Sequence, residues 1–353
     1  MKKILLHKNL GIKKIAALTC GLFLGFAYTP LWAGEVTGTI RGGADAAITS
    51  YTEKTASSTA SWMDIHTGGT LGYTLKVKNG EWTTAANVEL AFAGSSDEDI
   101  IQPRDANVSL ENDSLLFTFG RKESTGATVG NAYMMTDVMD DVPTVGNVFI
   151  FGEYLTFEMP STGLKLVYGI NVQGNADATG DDGRYDETTT ALFYGGEFGD
   201  ITVGLGYTSI SEKINKDRDE GVTGYAHDGG GKNGLGFGVG YKLGNISLAL
   251  NSDTLTTSVG TQAAVDDTKE QLSLLIVDYE IDADSGITLA YHTKSIDDGS
   301  AAKTTETGID ASYKTAIGGA SLFVVYHSGT TKDDDTLQDD QSSKLGVGLN
   351  HGF

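Results

Sequence analysis

The stretch Leu235–Leu250, with the sequence LGFGVGYKLGNISLAL, decides the fold of this protein. In its first nine residues a large apolar residue stands at every second position, and glycine or lysine stands between. Gly244 then supplies the chemistry of a tight turn, and the alternation resumes after it. Because a period of two places successive side chains on opposite faces of a strand, the stretch predicts an antiparallel hairpin with one apolar face.

The same period recurs along most of the chain in blocks of strand length, and no comparable block has the helical period of 3.6. Glycine is abundant, at 47 residues, and proline is scarce, at 4, which suits β structure. The pattern predicts sixteen strands, at roughly 34–44, 61–78, 81–93, 104–111, 114–122, 149–158, 163–173, 188–198, 200–211, 233–243, 245–257, 268–281, 286–296, 303–316, 320–330 and 342–353.

Short connections with turn residues alternate with long connections along the chain, as at Asn79-Gly80 and then Gly94–Pro103. A sheet built in this way has its turns at one end and its long loops at the other, which is the organisation of a membrane-spanning barrel with an apolar exterior and a polar lumen. Every strand is needed for closure, because an open edge in lipid would leave backbone groups unpaired. We therefore predict an all-β, transmembrane, antiparallel up-and-down barrel.

The first 33 residues have the features of a secretory signal peptide. Five lysines and no acidic residue occupy residues 1–14, and an apolar run follows at Ile15–Tyr28. That run is too short to cross a bilayer as a helix. We predict cleavage after Ala33, which gives a signal peptide at 1–33 and a single barrel domain at 34–353. Cys20, the only cysteine, leaves with the signal peptide, so the mature chain is expected to lack disulfides.

The chain is strongly acidic, with a formal net charge of −22. Without the five lysines of the predicted signal peptide, 20 basic residues stand against 47 acidic ones, which gives −27. A protein of this charge repels the phosphate backbone, so a nucleic-acid partner is excluded. High net charge also accompanies disorder, but the regular blocks of aromatic and β-branched residues exclude that class.

At this point the chain resembles the general Gram-negative porin family. Phe119-Gly120-Arg121 is similar to the aromatic-Gly-Arg at the end of the family's fifth strand, and Arg104–Leu110 is similar to its Arg-led fourth strand. The gap Glu123–Val148 is the longest, and it stands where the family has a third loop that folds into the lumen. The Phe-Gly-Gly stretch that the family has in this loop is absent, and Asp141–Gly146 stands nearby instead.

The resemblance implies a homotrimer in the outer membrane of a Gram-negative bacterium, in contact with lipid and lipopolysaccharide. Its activity would be passive diffusion of small hydrophilic solutes and ions through a water-filled channel, without covalent chemistry, cofactor or metal. The acidic charge predicts a weak preference for cations. A solute-specific channel for a sugar or an organic anion is the main alternative; it would line its path with aromatic residues, and the inward-facing sets contain few.

An outer-membrane enzyme or an adhesive barrel is a more distant alternative. An enzyme needs a nucleophile, a base and an orienting group close together. His66 and His292 have the parity of lumen residues, but no serine motif accompanies them. A closed, adhesive barrel needs bulky side chains to fill its lumen, and the inward set of the quoted hairpin is rich in glycine, as at Gly236 and Gly238.

The resemblance also implies a constriction, where acids of the third loop stand opposite bases of the barrel wall. Arg41 shares its strand parity with polar neighbours and is expected to face the lumen, where its charge is hydrated. Arg104 and Arg121 share parity with apolar neighbours, so for them the family match and the alternation disagree. The candidate constriction residues are Arg41, Arg104, Arg121, Glu123, Asp137, Asp140 and Asp141.

The last ten residues, KLGVGLNHGF, are similar to the terminal strand that the barrel-assembly machinery recognises. The resemblance implies an assembly signal formed by Leu349, His351 and Phe353 on the lipid-facing side. His351 departs from the family, which more often has an aromatic or apolar residue there. The expected partner in closing the barrel is the first strand, near Val36.

Overall fold

The computed structural model describes residues 35–55, 57–95, 98–124, 150–174, 184–214, 230–258, 267–299, 303–333 and 338–352. Among these residues, no helix is both long enough and apolar enough to cross a membrane. The strands are β1 (Glu35–Lys54), β2 (Thr59–Asn79), β3 (Trp82–Ser95), β4 (Glu98–Glu111), β5 (Leu116–Ser124), β6 (Ile150–Met159), β7 (Leu164–Gly174), β8 (Arg184–Phe198), β9 (Ile201–Ile214), β10 (Gly231–Leu243), β11 (Ile246–Ser258), β12 (Thr268–Asp282), β13 (Ser285–Asp297), β14 (Lys303–Ile317), β15 (Ala320–Asp333) and β16 (Gln338–Gly352).

The sixteen strands form one closed barrel in which each strand pairs with its neighbours in the chain, and β16 pairs with β1. All the pairings are antiparallel, which confirms the predicted up-and-down barrel. The closing pair runs from Gly43 opposite Gly352 to Lys54 opposite Gln341. Closure removes the unpaired edge that an open sheet would expose to lipid.

β1 is longer than the strand predicted from the sequence. Its added residues, rather than those near Val36, pair with β16 and close the barrel. The prediction ended the first strand near residue 44, but β1 continues to Lys54. The segment near Val36 pairs with β2 alone, whereas β16 pairs with the second half of β1. Apart from Ile48 and Tyr51, that half consists of small and polar residues without a clear alternation. Its strand conformation therefore depends on the pairing with a neighbour on each side.

Three connections that were predicted to be long are short. The β1–β2 connection runs from residue 55 to residue 58, the β3–β4 connection from 96 to 97, and the β15–β16 connection from 334 to 337. In each case the flanking strands extend further toward the loops than the apolar pattern does. The strict alternation of long and short connections therefore does not hold at these three places, although the strand number is unchanged.

The tight turns lie at one end of the barrel, which we call the turn end; the opposite end is the loop end. Glycines with positive φ occupy these turns, at Gly80, Gly163, Gly199, Gly244 and Gly318. Left-handed backbone is accessible to glycine without steric cost, which is why the turn signal was visible in the sequence.

The two faces of the sheet differ in the way that a membrane requires. Along β16, Leu345, Val347 and Leu349 are 46–50% exposed on the outside, and Gly346 and Gly348 between them are buried. The exposed large apolar side chains of the other strands follow the same alternation. An outside made of aliphatic and aromatic residues matches the hydrocarbon of a bilayer.

The lumen side is less uniformly polar than predicted. Leu272, Leu274 and Ile276 of β12 are buried on the lumen side, where Leu274 and Ile276 cluster with Ala249 and Ala290. A second apolar cluster, with Tyr154 and Phe193, lies across β6–β8. Parts of the wall are therefore packed like a protein core.

Candidate functional site in the barrel lumen

A row of charged residues crosses the first four strands on the lumen side. Arg41 of β1 is the partner of Gly72 in β2, Gly72 is the partner of Glu89 in β3, and Glu89 is the partner of Asp105 in β4. Arg41 Nη2 lies 3.2 Å from Glu89 Oε2 and 3.6 Å from Asp105 Oδ2. We call Arg41, Glu89 and Asp105 the acidic row.

Gly72 provides the space for this arrangement. A Cβ at position 72 would lie 3.1 Å from Arg41 Nε and 3.2 Å from Glu89 Oε2. Any larger residue would therefore displace the arginine from the carboxylate. The absence of a side chain lets Arg41 extend across β2 along the wall and reach two strands further.

One guanidinium thus stands against two carboxylates, and the row has a net negative charge. The side chain of Arg41 is 45% exposed, and those of Glu89 and Asp105 are 13% and 19% exposed. The two ion pairs orient the guanidinium along the wall. A passing ion therefore encounters an acidic stretch of wall in which the base is already paired.

A chain of neutral hydrogen bonds lies one step nearer to the turn end. Thr74 Oγ1 donates to Asn87 Oδ1 at 2.8 Å, Asn87 Nδ2 donates to Asn107 Oδ1 at 2.9 Å, and Asn107 Nδ2 donates to the Arg121 carbonyl at 3.1 Å. Thr74 and Asn107 are buried. This chain ties β2, β3, β4 and β5 together beside the acidic row and holds that part of the wall in one arrangement.

A second constellation, the His–Asp–His cluster, comprises His292 of β13, Asp310 of β14 and His327 of β15. His292 Nδ1 lies 3.0 Å from Asp310 Oδ2, and His327 Nδ1 lies 2.7 Å from Asp310 Oδ1. The two imidazole rings are parallel, with centroids 5.8 Å apart. All three residues are 0–2% exposed, so a carboxylate shared by two histidines is buried in the wall.

Glycines make room for both imidazoles. A side chain at Gly308, the partner of His292, would collide with that ring. A Cβ at Gly329 would lie 2.9 Å from His327 Nε2. The two rings therefore lie against stretches of strand that have no side chain to obstruct them.

Further charges surround the cluster toward the loop end. His292 Nε2 lies 3.7 Å from Glu306 Oε1, and Lys294 Nζ lies 3.0 Å from Glu270 Oε2. Lys294 is also the strand partner of Glu306. As in the acidic row, one base has two carboxylates beside it.

Ser342, His327 and Asp310 stand in the order of a nucleophile, a base and an orienting acid, which the sequence did not indicate. Ser342 Oγ lies 3.5 Å from His327 Nε2, at the outer limit of a hydrogen bond. Asp310 is shared with a second histidine, and the strands that carry these residues are paired on both sides. Within the described sheet their backbone amides therefore offer no oxyanion hole of the kind that acyl transfer requires.

The structure separates the other candidate constriction residues. Arg104 has no partner in β3, because the register shifts between Glu89 and Leu90 and leaves it in a bulge. Arg121 lies in the outward-facing row with Phe119, opposite Ala106 and Glu153, so it is not part of the acidic row. The structure places Glu123 within β5 rather than in the third loop, and Asp137, Asp140 and Asp141 lie outside the described residues.

Sequence reasoning named Arg41 but missed its two partners. Glu89 and Asp105 are 48 and 64 residues away from it in the chain, and only the register of four strands brings them together. The available signal was that both are carboxylates within membrane-spanning strands. A carboxylate facing lipid is costly, which indicates that each faces the lumen.

At the closing strand, His351 has a defined partner. Its Nδ1 donates to the Gly319 carbonyl at 2.9 Å, in the turn between β14 and β15. Leu349 is 50% exposed on the outside, and Phe353 lies outside the described residues. The departure at His351 therefore has a structural use, since it links the last strand to a turn of the barrel.

The described residues contain no group of three or more histidine, cysteine, aspartate or glutamate side chains arranged to hold a metal ion. A cavity of about 1180 Å³ lies at the turn end, beside the β6–β7 turn, and its lining includes Glu158, Lys165, Lys242 and Asp278. Both signs of charge line it, so it has the character of a hydrated vestibule rather than of an apolar ligand pocket.

Comparisons with known proteins agree with the barrel. The family model described as Gram-negative porin matches residues 24–353. A search of curated protein sequences found no match. Three similar solved structures show the same fold at low identity.

OmpT of Vibrio cholerae, in vitro folded and in trimer form, has a TM-score of 0.63 and 13% identity, covering 90% of this chain and 99% of that one. An anion-selective porin from Comamonas acidovorans has a TM-score of 0.61 and 13% identity, covering 90% and 100%. OmpF of Salmonella typhi, in complex with daunomycin, has a TM-score of 0.56 and 17% identity, covering 90% and 97%.

Proposed function

Because the chain belongs to the Gram-negative porin family and forms an outer-membrane channel, we propose that it mediates passive diffusion of small hydrophilic solutes with a weak preference for cations. The observation that supports the preference is the acidic row, in which Arg41 is outnumbered by Glu89 and Asp105. Lys294 lies beside Glu270 and Glu306 on another part of the wall, where His292 also contacts Glu306.

The proposed preference is weak because the pore is wide and hydrated. Two unit charges 8 Å apart in water interact by about 0.5 kcal/mol, and salt screens that value further. A local excess of one negative charge then changes the ratio of cation to anion permeability by about two- to fivefold. The similar porin from Comamonas acidovorans is described as anion-selective, so a shared fold leaves the sign of selectivity to the lumen side chains.

The proposed cellular setting follows from the family. The mature chain would begin after Ala33, reach the outer membrane through its signal peptide, and be inserted by the barrel-assembly machinery through Leu349, His351 and Phe353. Lipid and lipopolysaccharide would surround it. A homotrimer is proposed because the similar OmpT of Vibrio cholerae has a trimer form. In this reading the third loop, with Asp137, Asp140 and Asp141, narrows the lumen opposite Arg41, while Arg104, Arg121 and Glu123 are candidates that contribute less.

The test is a reversal-potential measurement in planar bilayers under a salt gradient. We expect steady ohmic steps and a reversal potential on the cation-selective side. Arg41→Gln should increase the cation preference, and Glu89→Gln should decrease it. Asp113→Asn, a change at an exposed residue in the turn between β4 and β5, is the control and should leave the potential nearly unchanged. Clear anion preference in the wild type would refute the proposal.

Ser342, His327 and Asp310 are the one observation that favours an enzyme as a second candidate. We propose a channel instead, because the hydroxyl lies at the limit of hydrogen bonding and the carboxylate is divided between two histidines. Hydrolysis of a p-nitrophenyl ester by the wild type, abolished in Ser342→Ala, would overturn this choice.

A further inference from the structure

A row of three residues crosses the loop end of the barrel on its lumen side. Lys344 of β16 is the partner of Tyr51 in β1, and Tyr51 is the partner of Trp62 in β2. Lys344 shares its face of the strand with buried Gly346, and Tyr51 shares its face with buried Ala47. We call Lys344, Tyr51 and Trp62 the mouth row.

In the mouth row, the Tyr51 ring lies between Lys344 and Trp62, and the Trp62 ring is exposed. The rings of Tyr51 and Trp62 are 5.2 Å apart at their centroids and only 6° from parallel. Lys344 Nζ lies 5.1 Å from the centroid of the Tyr51 ring. Tyr51 thus supports the indole, and Trp62 is 42% exposed.

Trp62 lies on a stretch of β2 that extends beyond its described pairing with β3. That pairing begins at Thr67, so among the described residues the segment with Trp62 has a strand partner only in β1. A large aromatic side chain that is stacked on one side and 42% exposed is a platform for a flat ligand.

Polar groups of both signs surround this platform. Glu53 stands two residues beyond Tyr51 and Asp64 two residues beyond Trp62, so both share the lumen face with the mouth row. Ser342 and Lys344 lie on the neighbouring strand, and Glu53 is the partner of Ser342. The rim therefore contains acceptors and donors of hydrogen bonds, with two carboxylates and one ammonium group.

We propose that the mouth row is a binding subsite for a neutral pyranose sugar on its way into the channel. One face of a pyranose presents C–H groups, which pack against the electron-rich face of an aromatic ring. Its hydroxyl edge can donate to Glu53 and Asp64 and accept from Lys344. The rim has one more carboxylate than ammonium, which disfavours anionic ligands, and a neutral sugar can use both its acceptors and its donors. The subsite deepens the proposed diffusion function and rests on it.

This subsite adds an aromatic residue to the inward-facing sets, in which the sequence predicts few. The first strand was expected to end near residue 44, so Tyr51 was not among them. The extension of β1 to Lys54 places Tyr51 in the wall and aligns it with Trp62. Two aromatic side chains therefore stand side by side at the loop end.

The experiment measures current fluctuations of single channels in a planar bilayer with maltohexaose on either side. We expect reversible block, with affinity reduced about three- to tenfold in Trp62→Ala and less in Tyr51→Ala. Trp62→Phe and Tyr51→Phe retain aromatic rings and should restore most of the affinity. Met63→Ala, which changes an outward-facing neighbour that is 71% exposed, is the matched control and should bind like the wild type.

Two further probes separate the ligand classes. A poly(ethylene glycol) of similar mass has no pyranose face, so its block should not depend on Trp62. Tetraethylammonium tests an organic cation instead. Block by tetraethylammonium that needs Trp62, or maltohexaose block of equal strength in Trp62→Ala, would overturn the proposal. Absence of any conductance would refute the channel itself, and conductance without sugar block would refute only the subsite.

Discussion

Replacing Asp310 with alanine is expected to destabilise the barrel by about 3–5 kcal/mol, because it removes the partner of two buried histidines. The carboxylate lies 3.0 Å from His292 Nδ1 and 2.7 Å from His327 Nδ1. A hydrogen bond to a charged group contributes about 1.5–3 kcal/mol, so two of them give about 3–6 kcal/mol, which overlaps that range. Asp310→Asn keeps one carbonyl acceptor and should cost about 2–3 kcal/mol.

The free energy of unfolding is measured by urea titration of the refolded barrel in lipid vesicles, followed by circular dichroism of the β-sheet signal. Asp340→Asn, at an exposed position of β16, controls for the loss of one acidic charge and should change the free energy by less than about 0.5 kcal/mol. Asp310→Ala should therefore shift the midpoint strongly, and the control should not.

A second background tests the cause of that shift. In a variant with His292→Ala and His327→Ala, Asp310 is left buried without its two partners. Removing the carboxylate should then be neutral or stabilising, because an unpaired buried charge is lost. Two results would refute the reasoning that these residues act as one buried ionic unit. One is a free energy of unfolding for Asp310→Ala equal to that of the wild type. The other is an equal loss of that free energy on Asp310→Ala in both backgrounds.

Three further outcomes follow from single contacts. Gly72→Val should push Arg41 away from Glu89, since its Cβ would lie 3.1 Å from Arg41 Nε; the added volume should lower single-channel conductance while the sign of the reversal potential stays the same. His351→Ala should lose one hydrogen bond to the Gly319 carbonyl and about 0.5–1.5 kcal/mol of unfolding free energy in the urea titration. Deletion of Phe353 should reduce the fraction of heat-modifiable barrel in isolated outer membranes more than total expression, and normal membrane yield would contradict the assembly-signal hypothesis.

The strand number could be predicted because its signals are local. A turn such as Gly244 needs positive φ, which glycine adopts readily, and each flanking strand shows its two faces within a few residues. Neither signal depends on knowing the partner strand. The boundaries that were wrong lie where these signals fade, as in the second half of β1.

The contacts of the site could not be predicted, because register determines them. Asp310 and His327 are 17 residues apart and become strand partners only when β14 and β15 are aligned. A shift of one residue would move one of them to the opposite face. The glycines that make room for the imidazoles, Gly308 and Gly329, acquire meaning only through the same alignment.

These observations divide the described wall into two sectors with different tolerance to change. In the sector around Arg41 and the mouth row, Arg41 and Trp62 are 45% and 42% exposed. Substituting them should alter permeation with little loss of packing. The sector around Asp310 is buried, so exchange there should cost stability. The outer face and the turns already specify the barrel, so substitutions in the sector around Arg41 and the mouth row should leave the fold intact. Porins with the same fold can therefore differ in ion preference, and in this chain we expect changes of permeation to map to β1–β4 and β16, and losses of stability to β13–β15.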